Sequence, residues 1–142
     1  MITIYTDGAC SGNPGKGGWG VVILQNDKEA IFLNGGDNHT TNNKMELTAS
    51  IEALKYFKDK KDITLITDSK YVKDGIQIWI QNWKKNGWKT SAKKTVKNKE
   101  LWIELDVLIT KHNISWEWVK GHAGNVHNEK ADYLARQYIE KI

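Results

Sequence analysis

Two nearly identical hexamers in this sequence each end in an aspartate. They read Ile2-Thr-Ile-Tyr-Thr-Asp7 and Ile63-Thr-Leu-Ile-Thr-Asp68. Their alternating pattern predicts two β-strands, each with the aspartate as its last residue. If the strands lie parallel and in register, both carboxylates leave the sheet at one edge, where open α/β sheets bind ligands. The alternative is that such hexamers recur by chance and that each aspartate is an ordinary turn residue.

Two further carboxylates border the apolar faces of predicted helices. Glu46 falls in the first turn of a helix expected to begin near Asn43, and their spacing also fits a capping box with Asn43 as N-cap. Asp132 lies on the last predicted helix, where it can also pair with Arg136 four residues later. Each acid alone has a structural explanation. Together with the two aspartates they would repel one another at a shared edge unless cations lay between them.

An all-oxygen ligand set favours Mg²⁺, with Mn²⁺ as a substitute. Neighbouring strands lie about 4.8 Å apart, which suits two ions roughly 3.5–4 Å apart that share carboxylates. Such a pair clamps the attacking and leaving oxygens of an in-line phosphoryl displacement. Cys10 is the only cysteine and the four histidines are scattered, so the sequence does not indicate zinc.

The stretch 82–99 is strongly basic and rich in tryptophan. It holds seven lysines and no acid, and Trp79, Trp83, Trp88 and Trp102 lie within it or flank it. Lysines neutralise backbone phosphates without reading sequence, and exposed aromatics pack against sugars and bases. The stretch therefore indicates nucleic-acid binding. The alternative is a solvated basic helix with core tryptophans.

The elements that must position these residues follow the order β-β-β-α-β-α-α-β-α. This order predicts an α/β fold with a mixed five-stranded sheet, three antiparallel strands plus two parallel, flanked by helices. We expect residues 8–20 to form a tight glycine-rich loop, 21–24 and 30–33 a hairpin closed by 35–38, and 69–80 a helix broken at Gly75. The last strand is expected at 114–119 and the last helix from about Asn125.

The bulk composition is compatible with one domain. The 142 residues carry a net charge of +4 and one cysteine, and no apolar run approaches the length of a membrane span. We expect a monomer without membrane contact. The single cysteine suits a reducing compartment, so we expect a cytoplasmic location.

Over essentially its whole length the chain resembles ribonuclease H of the type 1 class. The matching stretches are 5–15, 41–47, 67–69, 82–90 and 119–124. The resemblance implies an RNase H-like fold and a single catalytic domain over 1–142. It also implies an endonuclease that cleaves the RNA strand of RNA–DNA hybrid duplexes and leaves 5′-phosphate and 3′-hydroxyl ends.

The resemblance also implies the site residues. Asp7, Glu46, Asp68 and Asp132 match the metal-binding carboxylates, with Asp7 shared by both ions, and His122 matches a loop histidine that assists proton transfer or product release. The implied hybrid contacts are Asn13, Asn42 and Asn43 in the minor groove, Thr41 and Asn98 at a DNA phosphate, Tyr71 and Trp79 along the DNA strand, and Trp83, Lys84, Lys85, Trp88 and Lys89 in a basic protrusion over 83–99.

Two positions depart from the family pattern. Lys70 stands where many relatives carry glutamine, and His39 stands where some carry an arginine of the phosphate pocket. Two alternatives remain open: another two-metal nuclease on the same fold, or a hybrid-binding module without catalysis.

Overall fold

The computed structural model describes residues 1–120 and 125–142. Three consecutive strands come first, and the last two strands are separated from them and from each other by helices. In chain order the elements are β1 (Ile2–Ser11), β2 (Gly15–Gln25), β3 (Lys28–Thr40), α1 (Asn42–Lys55), β4 (Asp62–Thr67), α2 (Lys70–Asp74), a π-helical segment (Gly75–Trp79), α3 (Ile80–Lys85), α4 (Lys99–Lys111), β5 (Asn113–Trp118) and α5 (Val126–Lys141). No helix in these ranges is long and apolar enough to cross a membrane.

The sheet has the predicted mixed topology. Its strand order is β3-β2-β1-β4-β5, and β1–β2 and β2–β3 are antiparallel whereas β1–β4 and β4–β5 are parallel. The two hexamers pair in register, from Ile2 opposite Ile63 to Tyr5 opposite Ile66. The same register brings Asp7 level with Asp68, which confirms the parallel, in-register pairing.

Two apolar cores cover the two faces of the sheet. The larger one joins strand residues such as Ile4 and Leu65 to the stripe of α1 and to Trp102 of α4. The smaller one joins Tyr5 and other strand residues to α5. Neighbouring strand residues enter different cores because side chains alternate between the faces of a strand.

The prediction of a glycine-rich loop over 8–20 was wrong. β1 continues to Ser11 and β2 begins at Gly15, so most of this stretch is strand. The strands also do not end at their aspartates, because Asp7 lies inside β1 and Asp68 follows the last residue of β4. The glycines serve helix packing instead. A Cβ on Gly8 would lie 2.5 Å from the backbone nitrogen of Glu46, and one on Gly20 would lie 2.1 Å from the carbonyl oxygen of Ala131.

The β2–β3 hairpin is longer than predicted. Its turn is Asn26-Asp27, where both residues have positive φ (53° and 67°), as tight two-residue hairpin turns require. The stretch 35–38, expected to close the hairpin, belongs to β3.

The cap of α1 also differs from the prediction. Its N-cap is Thr41, whose hydroxyl oxygen accepts from the Lys44 backbone N–H at 3.2 Å. Asn43 therefore lies within the first turn, and Glu46 lies too deep in the helix to complete a capping box.

The helical region after β4 is irregular but does not break at Gly75. Ser69 caps α2, and helical backbone continues through the π-helical segment into α3, five residues beyond the predicted end at 80. A Cβ on Gly75 would lie 2.0 Å from the Trp102 ring. Gly75 thus lets the fully buried Trp102 pack against the helix.

Candidate active site

Three predicted carboxylates converge at one edge of the sheet. One oxygen each of Asp7, Glu46 and Asp68 lies within 4.8 Å of the others. The register of β1 and β4 aligns the two aspartates, and the close approach of α1 at Gly8 brings Glu46 over them. Asp7 is 3% and Glu46 8% exposed, so the cluster is largely buried.

A backbone group holds the side chain of Asp7, and hydrogen bonds of the neighbouring residues fix the backbone around Asp68. The Gly8 N–H donates to Asp7 Oδ1 at 2.9 Å. Next to Asp68, the Ser69 N–H donates to Thr67 Oγ1 at 3.2 Å, and Ser69 Oγ accepts from the Val72 N–H at 3.2 Å. Sequence reasoning did not assign Gly8 or Ser69 a positioning role. The only signal was that each directly follows an aspartate.

The cluster strongly disfavours ionisation of its buried members. Burial, followed by the negative charge of Asp68, raises the pKa of Asp7 to about 8, although the Gly8 N–H acts in the opposite direction. Burial, followed by the charges of Asp7 and Asp68, raises the pKa of Glu46 well above its ordinary value. Without a cation, the cluster therefore retains protons at neutral pH.

The residues present fit a divalent metal ion. Within the described ranges, Glu46 Oε1 is buried and has no hydrogen-bond partner, so a bound ion could satisfy this oxygen. The donors are all carboxylate oxygens, which Mg²⁺ and Mn²⁺ prefer.

Asp132 of α5 lies beside this cluster, because its charge contributes to the raised pKa values of Asp7 and Glu46. Its carboxylate is not one of the three that lie within 4.8 Å of one another. It also forms an ion pair with Arg136 four residues later. The ion pair confirms the local partner of Asp132, whereas its metal-binding role stays a prediction.

His122 lies in the stretch 121–124, outside the described residues. Its predicted role in proton transfer therefore stays a prediction from the sequence.

A cavity of about 450 Å³ opens onto the carboxylates, and we call it the active-site cavity. Asn42, Asn43 and Tyr71 line it together with the acids. The side-chain oxygen of Asn13 accepts from the Asn42 N–H at 3.1 Å. The three asparagines predicted to contact a minor groove are thus grouped at the mouth of the site.

A second cavity, of about 380 Å³, is lined by Tyr71, Trp79 and Trp83, and we call it the aromatic channel. The rings of Trp79 and Trp83 lie 5.7 Å apart, and those of Trp83 and Trp88 lie 6.3 Å apart. All of these indoles are half-buried. Tyr71 also lines the active-site cavity, so the two cavities meet at this ring.

Trp102 belongs to the core rather than to the surface. It is fully buried, and its indole N–H donates to the Tyr71 hydroxyl at 3.0 Å. The alternative of core tryptophans thus holds for this residue.

The lysines of the basic stretch lie only partly on a helix. Lys84 and Lys85 end α3, and Lys84 pairs with Asp106 at 3.3 Å. Lys89 is exposed and pairs with Thr95 in an isolated antiparallel bridge within the segment between α3 and α4. The alternative of a single solvated basic helix is therefore wrong.

The region predicted to bind a DNA phosphate contains unexpected acids. Thr41 uses its hydroxyl as the cap of α1, and the Asn98 side-chain amide donates to the Tyr71 hydroxyl at 3.1 Å. The cavity of about 420 Å³ beside Asn98 is also lined by Asp37 and Glu100. His39, which stands where some relatives carry an arginine, is exposed, and its backbone N–H donates to the Asp37 carboxylate at 3.2 Å.

Comparison with known proteins identifies the same family along the whole chain. The family model for RNase H matches residues 1–140. A ribonuclease H of Ehrlichia canis is 59% identical over 140 residues, which cover 99% of this chain and 95% of that protein. A ribonuclease H of Francisella philomiragia is 58% identical over 143 residues, with 99% and 92% coverage.

Solved structures show the same architecture. LC9-RNase H1, described as a type 1 RNase H with the type 2 active-site motif, has a TM-score of 0.83 at 31% identity, covering 99% of this chain and 72% of its own. LC11-RNase H1, solved in complex with an RNA/DNA hybrid, has a TM-score of 0.77 at 25% identity, with 99% and 98% coverage. This chain, with its converging carboxylates, belongs to the ribonuclease H family of nucleases.

Proposed function

We propose that this nuclease hydrolyses the RNA strand of RNA–DNA hybrids with two bound Mg²⁺ ions, leaving 5′-phosphate and 3′-hydroxyl ends. The observation that carries the proposal is the convergence of Asp7, Glu46 and Asp68 within 4.8 Å in a largely buried cluster. The complex of LC11-RNase H1 with an RNA/DNA hybrid supports this substrate class.

In this proposal Asp7, Glu46, Asp68 and Asp132 hold the ions, with Asp7 shared between them. When bound, the ions would supply activation of the attacking water and stabilisation of the leaving 3′ oxygen. Asp7 and Glu46, whose pKa values are raised, must give up their protons to bind the ions. The fixed positions of the four carboxylates orient the scissile phosphate. His122 is the proposed group for proton transfer or product release, and Mn²⁺ is the proposed substitute ion.

In this proposal, different surfaces around the site contact the RNA strand and the DNA strand of the hybrid. In this proposal Asn13, Asn42 and Asn43 read the minor groove, where 2′-hydroxyls distinguish RNA from DNA. Tyr71 and Trp79 offer aromatic faces to the deoxy strand, whose sugars lack the hydroxyl that would clash there.

The basic protrusion supplies the remaining affinity. Exposed lysines attract the phosphates of both strands without reading sequence. Trp83 and Trp88 add aromatic surface, and Lys84, Lys85 and Lys89 add positive charge. The contact of Thr41 and Asn98 with a DNA phosphate stays a prediction, as do the monomeric state and the cytoplasmic location.

The test is to incubate the protein and Mg²⁺ with a hybrid, a duplex RNA and a duplex DNA of one sequence. We expect cleavage only of the RNA strand of the hybrid. Equal cutting of duplex DNA would favour another two-metal nuclease, whereas hybrid binding without any cleavage would favour a binding module. The Asp7→Asn variant is the control, because it removes the shared ligand while leaving the binding surfaces in place.

A further inference from the structure

A third cavity, of about 340 Å³, lies beside Asp68, and we call it the lysine cavity. Asp68, Ser69 and Lys70 line both this cavity and the active-site cavity, so the two are contiguous. The aromatic channel shares only Tyr71 with the active-site cavity and shares no lining residue with the lysine cavity. The three cavities therefore form a row with the carboxylates in the middle.

The lysine cavity is positively charged. Lys73 of α2 and Lys120, two residues after β5, line it together with Lys70. Lys70 already pairs with Asp74 at 2.9 Å. Across residues 1–120 and 125–142, no carboxylate forms an ion pair with Lys73 or Lys120. Two ammonium groups thus line the same concave surface as Asp68, and neither of them forms an ion pair with a described carboxylate.

One wall of the lysine cavity is aromatic and firmly held. Trp118 lines the cavity and stacks on Trp116, with ring centroids 5.2 Å apart and planes 9° from parallel. Both indoles pack against the larger core. Ammonium groups beside an indole face match the chemistry of a nucleotide backbone, in which a phosphate alternates with a sugar.

We propose that the lysine cavity is a subsite for the cleaved strand, beyond the bond that is cut. Lys73 and Lys120 contact one backbone phosphate there, and Trp118 contacts the adjoining sugar. This inference rests on the proposed function. The deoxy strand takes the aromatic channel at one end of the row of cavities. The cleaved strand must continue past the carboxylates, so it reaches the lysine cavity at the other end. The lysines act in binding, so their loss changes KM and leaves kcat unchanged.

The test uses a chimeric strand with four central ribonucleotides between deoxynucleotide flanks, paired with DNA and cut by the full chain with Mg²⁺. Single phosphates in the flanks are replaced in turn by neutral methylphosphonates, on both sides of the cut. The variant is Lys73→Gln combined with Lys120→Gln. The matched control combines Lys28→Gln with Lys58→Gln, which removes the same two charges from exposed positions outside the cavities.

For the wild type, neutralising one particular phosphate is expected to raise KM about eightfold at 0.1 M salt, as the loss of one phosphate contact implies. The double variant should show a comparable rise on the unmodified chimera and no further rise on the modified one. The control variant that lacks Lys28 and Lys58 should show the KM of the wild type on both substrates.

Three results would overturn the subsite. One is a double variant with the KM of the wild type. Another is a double variant that keeps the full response to the modified phosphate. The third is a wild type that cleaves the chimera but responds to no modified position. Failure of the wild type to cut the unmodified chimera would instead overturn the proposed function, and the subsite with it.

Discussion

Replacing Asp7 with asparagine should stabilise the metal-free protein at neutral pH while it abolishes cleavage. Asparagine has nearly the shape of aspartate but cannot ionise. In the wild type, raising the pH forces a negative charge onto a side chain that is 3% exposed and faces Glu46, Asp68 and Asp132. The variant removes this charge and the repulsion that accompanies it.

The size of the effect follows from the pKa of Asp7, about 8 in the folded protein and about 3.9 in an unfolded chain. Because the folded-state pKa is the higher one, the stabilising contribution is complete below about pH 4 and is lost as the pH rises towards 8. At about 1.4 kcal/mol per pH unit, the metal-free wild type loses roughly 4 kcal/mol between pH 4 and pH 7. Glu46, whose pKa is also raised, acts in the same direction but is coupled to Asp7, so the two effects do not simply add.

His112 makes stability depend on pH in the opposite direction. Burial lowers its pKa, so it contributes stability above the unfolded-state value near 6.5 and loses it as the pH falls. This contribution is the same in the wild type and in Asp7→Asn. The difference in the free energy of unfolding between the two proteins therefore isolates the carboxylate cluster.

The assay is urea unfolding in the presence of a chelator, followed by tryptophan fluorescence, at steps from pH 4 to pH 8. Asp7→Asn should exceed the wild type at pH 7 by about 2–4 kcal/mol and should depend less on pH. Added Mg²⁺ should raise the free energy of unfolding of the wild type far more than that of the variant. A metal-free wild type that gains stability relative to Asp7→Asn as the pH rises would refute the reasoning. Retained turnover by the variant would refute the metal role of Asp7.

Three further predictions test the fold and the interface. Thr41→Ala should cost about 1 kcal/mol of unfolding free energy as a lost N-cap, and Asn43→Ala should cost much less; equal costs in urea unfolding would contradict the assigned cap. Gly20→Ala should lower stability by about 2 kcal/mol or more, because its Cβ would meet the Ala131 carbonyl oxygen at 2.1 Å, and an unchanged Tm would show that α5 can move aside freely. The logarithm of hybrid affinity should fall linearly with the logarithm of salt concentration, by about 0.9 per phosphate contact, and a flat response would remove the basic segment 83–99 from the interface.

Much of the fold could be predicted because its decisive signals are local and repeated. The two hexamers share one pattern of apolar and polar residues. Pairing them in register places equivalent side chains on the same face of the sheet, so the register could be predicted. The order of strands and helices then restricts the sheet to few topologies. Glu46 and Asp132 could be assigned to the borders of apolar stripes because helical periodicity is visible in the sequence itself.

The glycines could not be interpreted correctly from the sequence. A run such as residues 8–20 ordinarily marks turns, because glycine tolerates backbone conformations that other residues avoid. At Gly8 and Gly20 the reason is different: a helix backbone lies against the strand and leaves no room for a Cβ. Such contacts join residues far apart in the chain, and no local pattern signals them.

The sequence also could not predict which single aromatic and acidic residues are buried and which line a cavity. Trp102 lies close to a basic stretch in the sequence but is fully buried, where it donates to Tyr71. Asp37 and Glu100 come from distant elements to line one cavity with Asn98. Their charges can be weighed only once the chain is folded.

The register of β1 and β4 is the feature on which the proposed chemistry depends most. Ile4 pairs with Leu65 and both enter the larger core, whereas Tyr5 pairs with Ile66 and both enter the smaller one. If β4 slipped by one residue relative to β1, its side chains would exchange faces, and those that pack in one core would point towards the other. Such a slip would also carry Asp68 away from Asp7. The packing that fixes the register therefore holds two mutually repelling carboxylates together, at a cost in stability that a bound cation would offset.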